Sequence, residues 1–234
     1  MEFYHTYNRG VEKRKIFLEN PDYFRGAHDL YEFNNANAAA NLYRSIVGFT
    51  KSNISSNISG GDNKPKPREK LVNMGVWCFM PNHYHIFSCP IQDNSLSVFH
   101  KKFGIGIANF FNTKYKRSGA LFQGRYKKVQ VTNDTQALQL ICYIHSNPLD
   151  LWKPNWKEKG LTNLEIQNAL KFLKDDYRWS SHLDWWGIKN FPSLIDTESM
   201  KRFFNNPKEY REFFINWLRY YEKNVQSIQK LIVE

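Results

Sequence analysis

The chain has 234 residues, 41% of them hydrophobic and 16% aromatic, enough apolar mass for a buried core and too much for a wholly disordered protein. Thirty-three Lys and Arg against 22 Asp and Glu leave a net charge of +11 and a pI near 9.5, which favours polyanionic partners, nucleic acid ahead of anionic membrane. No apolar run is long enough to span a bilayer, the opening MEFYHTYNRG lacks the pattern of a secretory leader, and the three cysteines (Cys78, Cys89, Cys142) lie apart in apolar segments, as reduced thiols of a cytoplasmic protein do.

In chain order, EFYHTYNR (2–9) alternates and is rich in aromatic and β-branched residues, which predicts a strand closed by Gly10. Asn20-Pro21-Asp22 then reads as a helix start, with Phe24, Ala27, Leu30 and Tyr31 following at helical spacing, so a helix is expected over about 21–35. NLYRSIVGF (41–49) predicts a short helix, and the polar stretch 51–70 a mobile loop or insertion. LVNMGVWCFM (71–80) and HYHIFSC (83–89), joined by Pro81-Asn82, predict a hairpin. Asp93-Asn94-Ser95 opens a long helix to about 117, ALFQGRYKKVQV (120–131) reads as a fourth strand, and Asn133 caps a helix that Asn147-Pro148 stops.

The order strand, helix, strand, strand, helix, strand, helix is the βαββαβ pattern of an α+β, ferredoxin-like core. One sheet face is then left open for a ligand or for added elements. We place this core at residues 1–149 and a helical, tryptophan-rich C-terminal extension at 150–234.

Two features carry chemistry. His83 and His85 are two apart on a predicted strand, so both imidazoles share one face and can hold one divalent cation if a third ligand arrives from elsewhere. The other reading is two satisfied or surface histidines. On the last helix of the core, Gln136, Gln139, Tyr143 and Asn147 line the face opposite the apolar stripe. Tyr143 and Asn147 are one turn apart, so an amide oxygen can complete a metal site while the phenol stands alongside as a nucleophile; an amphipathic helix with a covering tyrosine is the alternative. His5, on the first strand, is read as sheet filling rather than as part of the site, and Arg9 as a phosphate contact. Between residues 101 and 128 lie Lys101, Lys102, Lys114, Lys116, Arg117, Arg125, Lys127 and Lys128 with no acidic residue, a stretch suited to a phosphate backbone. Tyr115 and Tyr126 are rival nucleophiles that lack the amide one turn on.

MPNHYHIF, KRSGALFQGRYKKV and YIHSNPLDL, with YHTYNRGVEKRKIF and YRWSSHLDWWG, resemble the HUH-type single-tyrosine transposases, in particular the REP-associated branch, from residue 4 to about 187. The resemblance implies metal-binding histidines at His83 and His85, a third ligand at Asn147, a nucleophile at Tyr143, and Mg²⁺ or Mn²⁺ as cofactor. It also implies cleavage of single-stranded or hairpin DNA to a 5′-phosphotyrosine and a free 3′ hydroxyl, by a chain more in keeping with a monomer than a dimer. The 36–70 stretch is longer than that branch usually carries. A non-catalytic nucleic-acid-binding module and a water-using phosphodiesterase remain the other two readings.

Overall fold

The computed structural model of the chain describes residues 1–37 and 68–232. The short helix expected at 41–49 and the loop expected at 51–70, save its last three residues, lie outside that set. The core elements are β1 (Phe3–Arg9), α1 (Asn20–Phe33), β2 (Val72–Met80), β3 (His83–Pro90), α2 (Ser95–Lys114), β4 (Lys127–Val131) and α3 (Asp134–Ser146). After them come α4 (Leu149–Trp152), α5 (Trp156–Lys159), α6 (Asn163–Asp175), α7 (His182–Trp186), α8 (Thr197–Lys201), α9 (Pro207–Arg219), α10 (Tyr221–Gln226) and a final 3₁₀ turn at Gln229–Leu231.

Local chemistry sets these boundaries. Asn133 caps α3 as its sequence predicts, its side-chain oxygen accepting from the Gln136 amide at 2.9 Å. In α1 the cap is one residue earlier than expected: Glu19 and Asp22 form a reciprocal capping box around Pro21. The fourth strand is shorter than the sequence suggests. Residues 120–126 are instead a loop hooked onto the end of β1, with Val11 N–H donating to Leu121 O (2.9 Å) and Gln123 N–H to Arg9 O (3.0 Å). Backbone groups spent there are not free to continue a ladder.

The strands form one antiparallel sheet in the order β2-β3-β1-β4, so the chain is α+β. Alternation sorts the side chains between two cores. Trp77, Phe79, Tyr84 and Ile86 pack under α1 and α2 with Leu30, Phe99 and Phe103. Phe3, Val76, Cys78 and Phe87 face α3 and the C-terminal helices, meeting Leu140, Tyr143, Trp156, Phe214 and Trp217. Much of the face expected to be open is therefore covered, because the aromatic C-terminal segment needs an apolar surface and this one is available. It stays accessible where Tyr7, Arg9 and His83 lie, each only partly buried. Cys78, Cys89 and Cys142 are free and buried, and among the described residues no helix is long and apolar enough to cross a membrane.

A buried polar cluster fastens the helices to the sheet. His145 on α3 hydrogen-bonds the Tyr210 hydroxyl (2.8 Å) and Ser181 Oγ (2.7 Å); His182 meets the same hydroxyl at 2.8 Å, and Ser181 Oγ accepts from Trp77 N–H on β2 at 3.0 Å. Truncating His145 opens a cavity and removes a partner from two buried hydroxyls, so His145→Ala should cost about 3 kcal/mol. A urea melt should show a lower midpoint at unchanged slope; a loss well under 1 kcal/mol would contradict the clamp.

Candidate active site

The antiparallel register sets Tyr7 opposite His85 and Arg9 opposite His83, so residues from two strands crowd one end of one sheet face. The imidazoles of His83 and His85 are edge-on, with ring centroids 4.9 Å apart. Across from them α3 brings Tyr143, whose ring stands edge-on to His85 at 6.0 Å. The histidine pair and the tyrosine, expected from separate stretches, are thus neighbours.

The hydrogen bonds fix much of the proton inventory. Asn82 donates its amide N–H to Lys13 O at 3.3 Å, which turns its oxygen toward His83, and His83 Nδ1–H donates to that oxygen at 2.6 Å. A neutral His83 then carries its lone pair on Nε2. His85 is 1% exposed, and burial, reinforced by His83 and His5, holds it well below the usual histidine pKa, so it is neutral at pH 7. Its Nε2 is buried and has no hydrogen-bond partner. A neutral imidazole with such a nitrogen fits a divalent metal. Among the described residues no group of three or more His, Cys, Asp or Glu is placed to hold a metal ion, so a cation here would need a ligand of another type.

Asn147 is of that type. It follows α3 as its C-cap and is fully buried, with its amide N–H turned back to donate to Tyr143 O (3.1 Å) and its oxygen facing the Lys157 ammonium at 3.5 Å. Lys157 was not legible as a site residue. It lies 5.3 Å from the centre of the Tyr143 ring and pairs with Asp150 at 2.8 Å. Tyr143 itself is only 2% exposed.

His5 requires a correction. Its Nε2 lies 2.9 Å from His85 Nδ1, so it faces the histidine pair instead of merely filling the sheet. The signal was available: a strand paired antiparallel with β3 puts residues of this parity on the face of the histidines.

The basic stretch divides. Arg125 and Lys127 line a cleft of about 110 Å³ with Tyr7, Arg9, His83 and His85. Lys101 and Lys128 border an adjoining cavity of about 750 Å³ that also includes Arg125. Lys116 is exposed at the end of α2. The others are engaged within the chain: Lys102 donates to the carbonyls of Asn35, Ala36 and Asn37, Lys114 pairs with Glu19 and Asp22, and Arg117 bonds Asn112, Gly119 and Ala120. Tyr115 donates to Asp22, and Tyr126 stacks on His100 at 4.1 Å, so each rival phenol has a structural partner.

No family model and no curated protein matches the chain. A solved structure described as a REP-associated tyrosine transposase bound to a REP hairpin aligns over 64% of this chain and 67% of its own, at 13% identity and a TM-score of 0.37. A likeness of that size adds no weight to either fold or activity.

Proposed function

We propose that the chain is a metal-dependent single-stranded DNA endonuclease and strand transferase of the tyrosine transposase type. The observation that carries this is the meeting of Tyr143 with His85, a neutral imidazole whose buried Nε2 has no hydrogen-bond partner. The sheet order β2-β3-β1-β4 with intervening helices supports a ferredoxin-like core at 1–149, the C-terminal helices forming its extension.

In this reading Tyr143 attacks phosphorus in line. The Oη–phosphorus bond forms as the phosphorus–O3′ bond breaks; the phenol proton leaves to water and O3′ takes one up, giving a 5′-phosphotyrosine and a free 3′ hydroxyl. His83, His85 and Asn147 would hold Mg²⁺ or Mn²⁺, which supplies polarisation of the scissile phosphate and offsets charge on the leaving oxygen. For Asn147 this means exchanging its contact with Lys157. Arg9, Arg125 and Lys127 bind flanking phosphates. Lys157 brings a positive charge to the nucleophile, and its partly exposed pair with Asp150 costs little to break, so the side chain can swing aside to admit the strand. Because Tyr143 and the histidines meet within one chain, a monomer suffices.

The test is incubation with hairpin-bearing single-stranded DNA and Mn²⁺, scored for a covalent protein–DNA adduct. Cleavage without an adduct would favour activated water instead. A second reading, a nucleic-acid-binding protein without catalysis, is favoured by the burial of Tyr143, and under it binding persists while neither adduct nor cleavage forms. The binding surface has its own test. Arg125→Ala with Lys127→Ala should lower the slope of log affinity against log salt by roughly 1–2, whereas Lys102→Ala, tied up in the fold, should leave the slope unchanged. Equal slopes for all variants would remove the cleft from the binding surface.

A further inference from the structure

We propose that His5, anchored by the backbone carbonyl of Leu231, holds His85 in the tautomer whose Nε2 presents a lone pair to a divalent cation. His5 is then a positioning residue for the site. The inference deepens the proposed function and rests on it for the identity of the ligand.

Three groups in line, a carbonyl and two imidazoles, fix where the protons sit. His5 Nδ1 lies 2.6 Å from Leu231 O, and His5 Nε2 lies 2.9 Å from His85 Nδ1. A carbonyl can only accept, so His5 Nδ1 carries hydrogen. With His5 neutral, its single N–H is the one on Nδ1, so Nε2 accepts, and the contact with His85 places the proton on His85 Nδ1. The lone pair of a neutral His85 then falls on Nε2, the buried nitrogen without a hydrogen-bond partner. The reverse order, with His85 protonated on Nε2, would bury an N–H with no acceptor and set two lone pairs against each other at 2.9 Å. A metal-bound histidine is commonly oriented by the group that its other nitrogen meets, and here a second histidine and a main-chain carbonyl fill that role.

The scaffold holds both ends still. β1 pairs with β3 on one side and β4 on the other, so His5 sits on a central strand. The His5 and His85 rings lie 18° from parallel at 5.1 Å, and Tyr7 stacks against His5 at 5.1 Å. Leu231 is buried in the core with Ile228, which fixes its carbonyl through side-chain packing.

The deciding experiment uses the full chain, metal-free and ¹⁵N-labelled at histidine, in a long-range proton–nitrogen correlation spectrum. His85 should carry its proton on Nδ1 with Nε2 bare; a proton on Nε2 overturns the proposal without any variant. Mn²⁺ binding is then followed by electron paramagnetic resonance. His5→Ala should let the His85 proton move between nitrogens and weaken Mn²⁺ binding about 10–100-fold. His5→Gln, whose amide can donate to the Leu231 carbonyl and accept from His85, should restore most of both. A His5→Ala chain that keeps the tautomer and the affinity overturns the proposal. Failure of the parent chain to form a DNA adduct while these readouts hold would sink the proposed function and leave this inference standing; failure to bind Mn²⁺ at all would overturn the inferred role toward a cation.

Discussion

Tyr143→Phe should lower covalent adduct formation with hairpin-bearing single-stranded DNA and Mn²⁺ by at least about 10³-fold, the scale on which enzymes lose rate when a nucleophile is removed. The fold should hardly notice. Phenylalanine keeps the ring that stands edge-on to His85 and packs into the core shared by β3, α3 and the C-terminal helices, so the stability change should stay under about 1.5 kcal/mol. Activity and stability therefore separate, and a folded, DNA-binding, adduct-free variant is the expected product. Tyr7→Phe is the matched control, because Tyr7 is the phenol that lines the cleft with the histidines. It should keep the adduct. If Tyr7→Phe abolishes the adduct and Tyr143→Phe retains it, the nucleophile is on the sheet and the assignment to α3 is wrong.

Acid should destabilise the chain steeply. His85, His100, His145 and His182 are all fully buried, and burial pushes each below the ordinary histidine pKa, His100 and His182 to about 3. Above pH 6.5 these rings are neutral whether folded or not and contribute no slope. Below it the unfolded chain takes up protons that the folded chain refuses, so stability falls as pH drops, and for His100 and His182 it goes on falling to about pH 3. Each ring contributes roughly 1.4 kcal/mol per pH unit in that window, and the four together several kcal/mol by pH 5.5. Urea midpoints between pH 7.5 and 5 measure the slope. His100 offers a clean dissection, since both its ring nitrogens are buried without hydrogen-bond partners beneath Tyr126. His100→Phe should flatten the dependence by about one histidine's share and leave stability at pH 7.5 at least as high. An unchanged slope would show that His100 does not resist protonation.

The sequence carried the core well because its signals are local. Alternation marked β1, Pro81-Asn82 marked the hairpin, and Asn133 marked the start of α3. It overran β4 because residues 120–126 have strand-like composition but spend backbone groups on Arg9 and Val11. Period two gave the shared face of His83 and His85, and period 3.6 the adjacency of Tyr143 and Asn147. Parity on β1 could have placed His5 on the histidine face, but its partners, like that of Lys157, are not local in sequence. His5 meets a histidine 80 positions away and a carbonyl 226 away, and Lys157 reaches Tyr143 from a separate short helix, α5. The basic stretch shows the complementary limit: composition counted eight cations but not that Lys102, Lys114 and Arg117 are occupied by their own chain.

The bond from His5 to Leu231 has a consequence for how the protein is made. Two groups separated by 226 positions leave the ribosome at widely separated times. At about 5–20 residues per second the first strand waits roughly 10–45 s for its last partner. Until then His5 Nδ1 lacks the Leu231 carbonyl as its acceptor, and on the proposal above the tautomer of His85 is not yet held. Under the proposed role of His5, a nascent chain stalled short of residue 231 would hold Mn²⁺ less tightly than the finished chain.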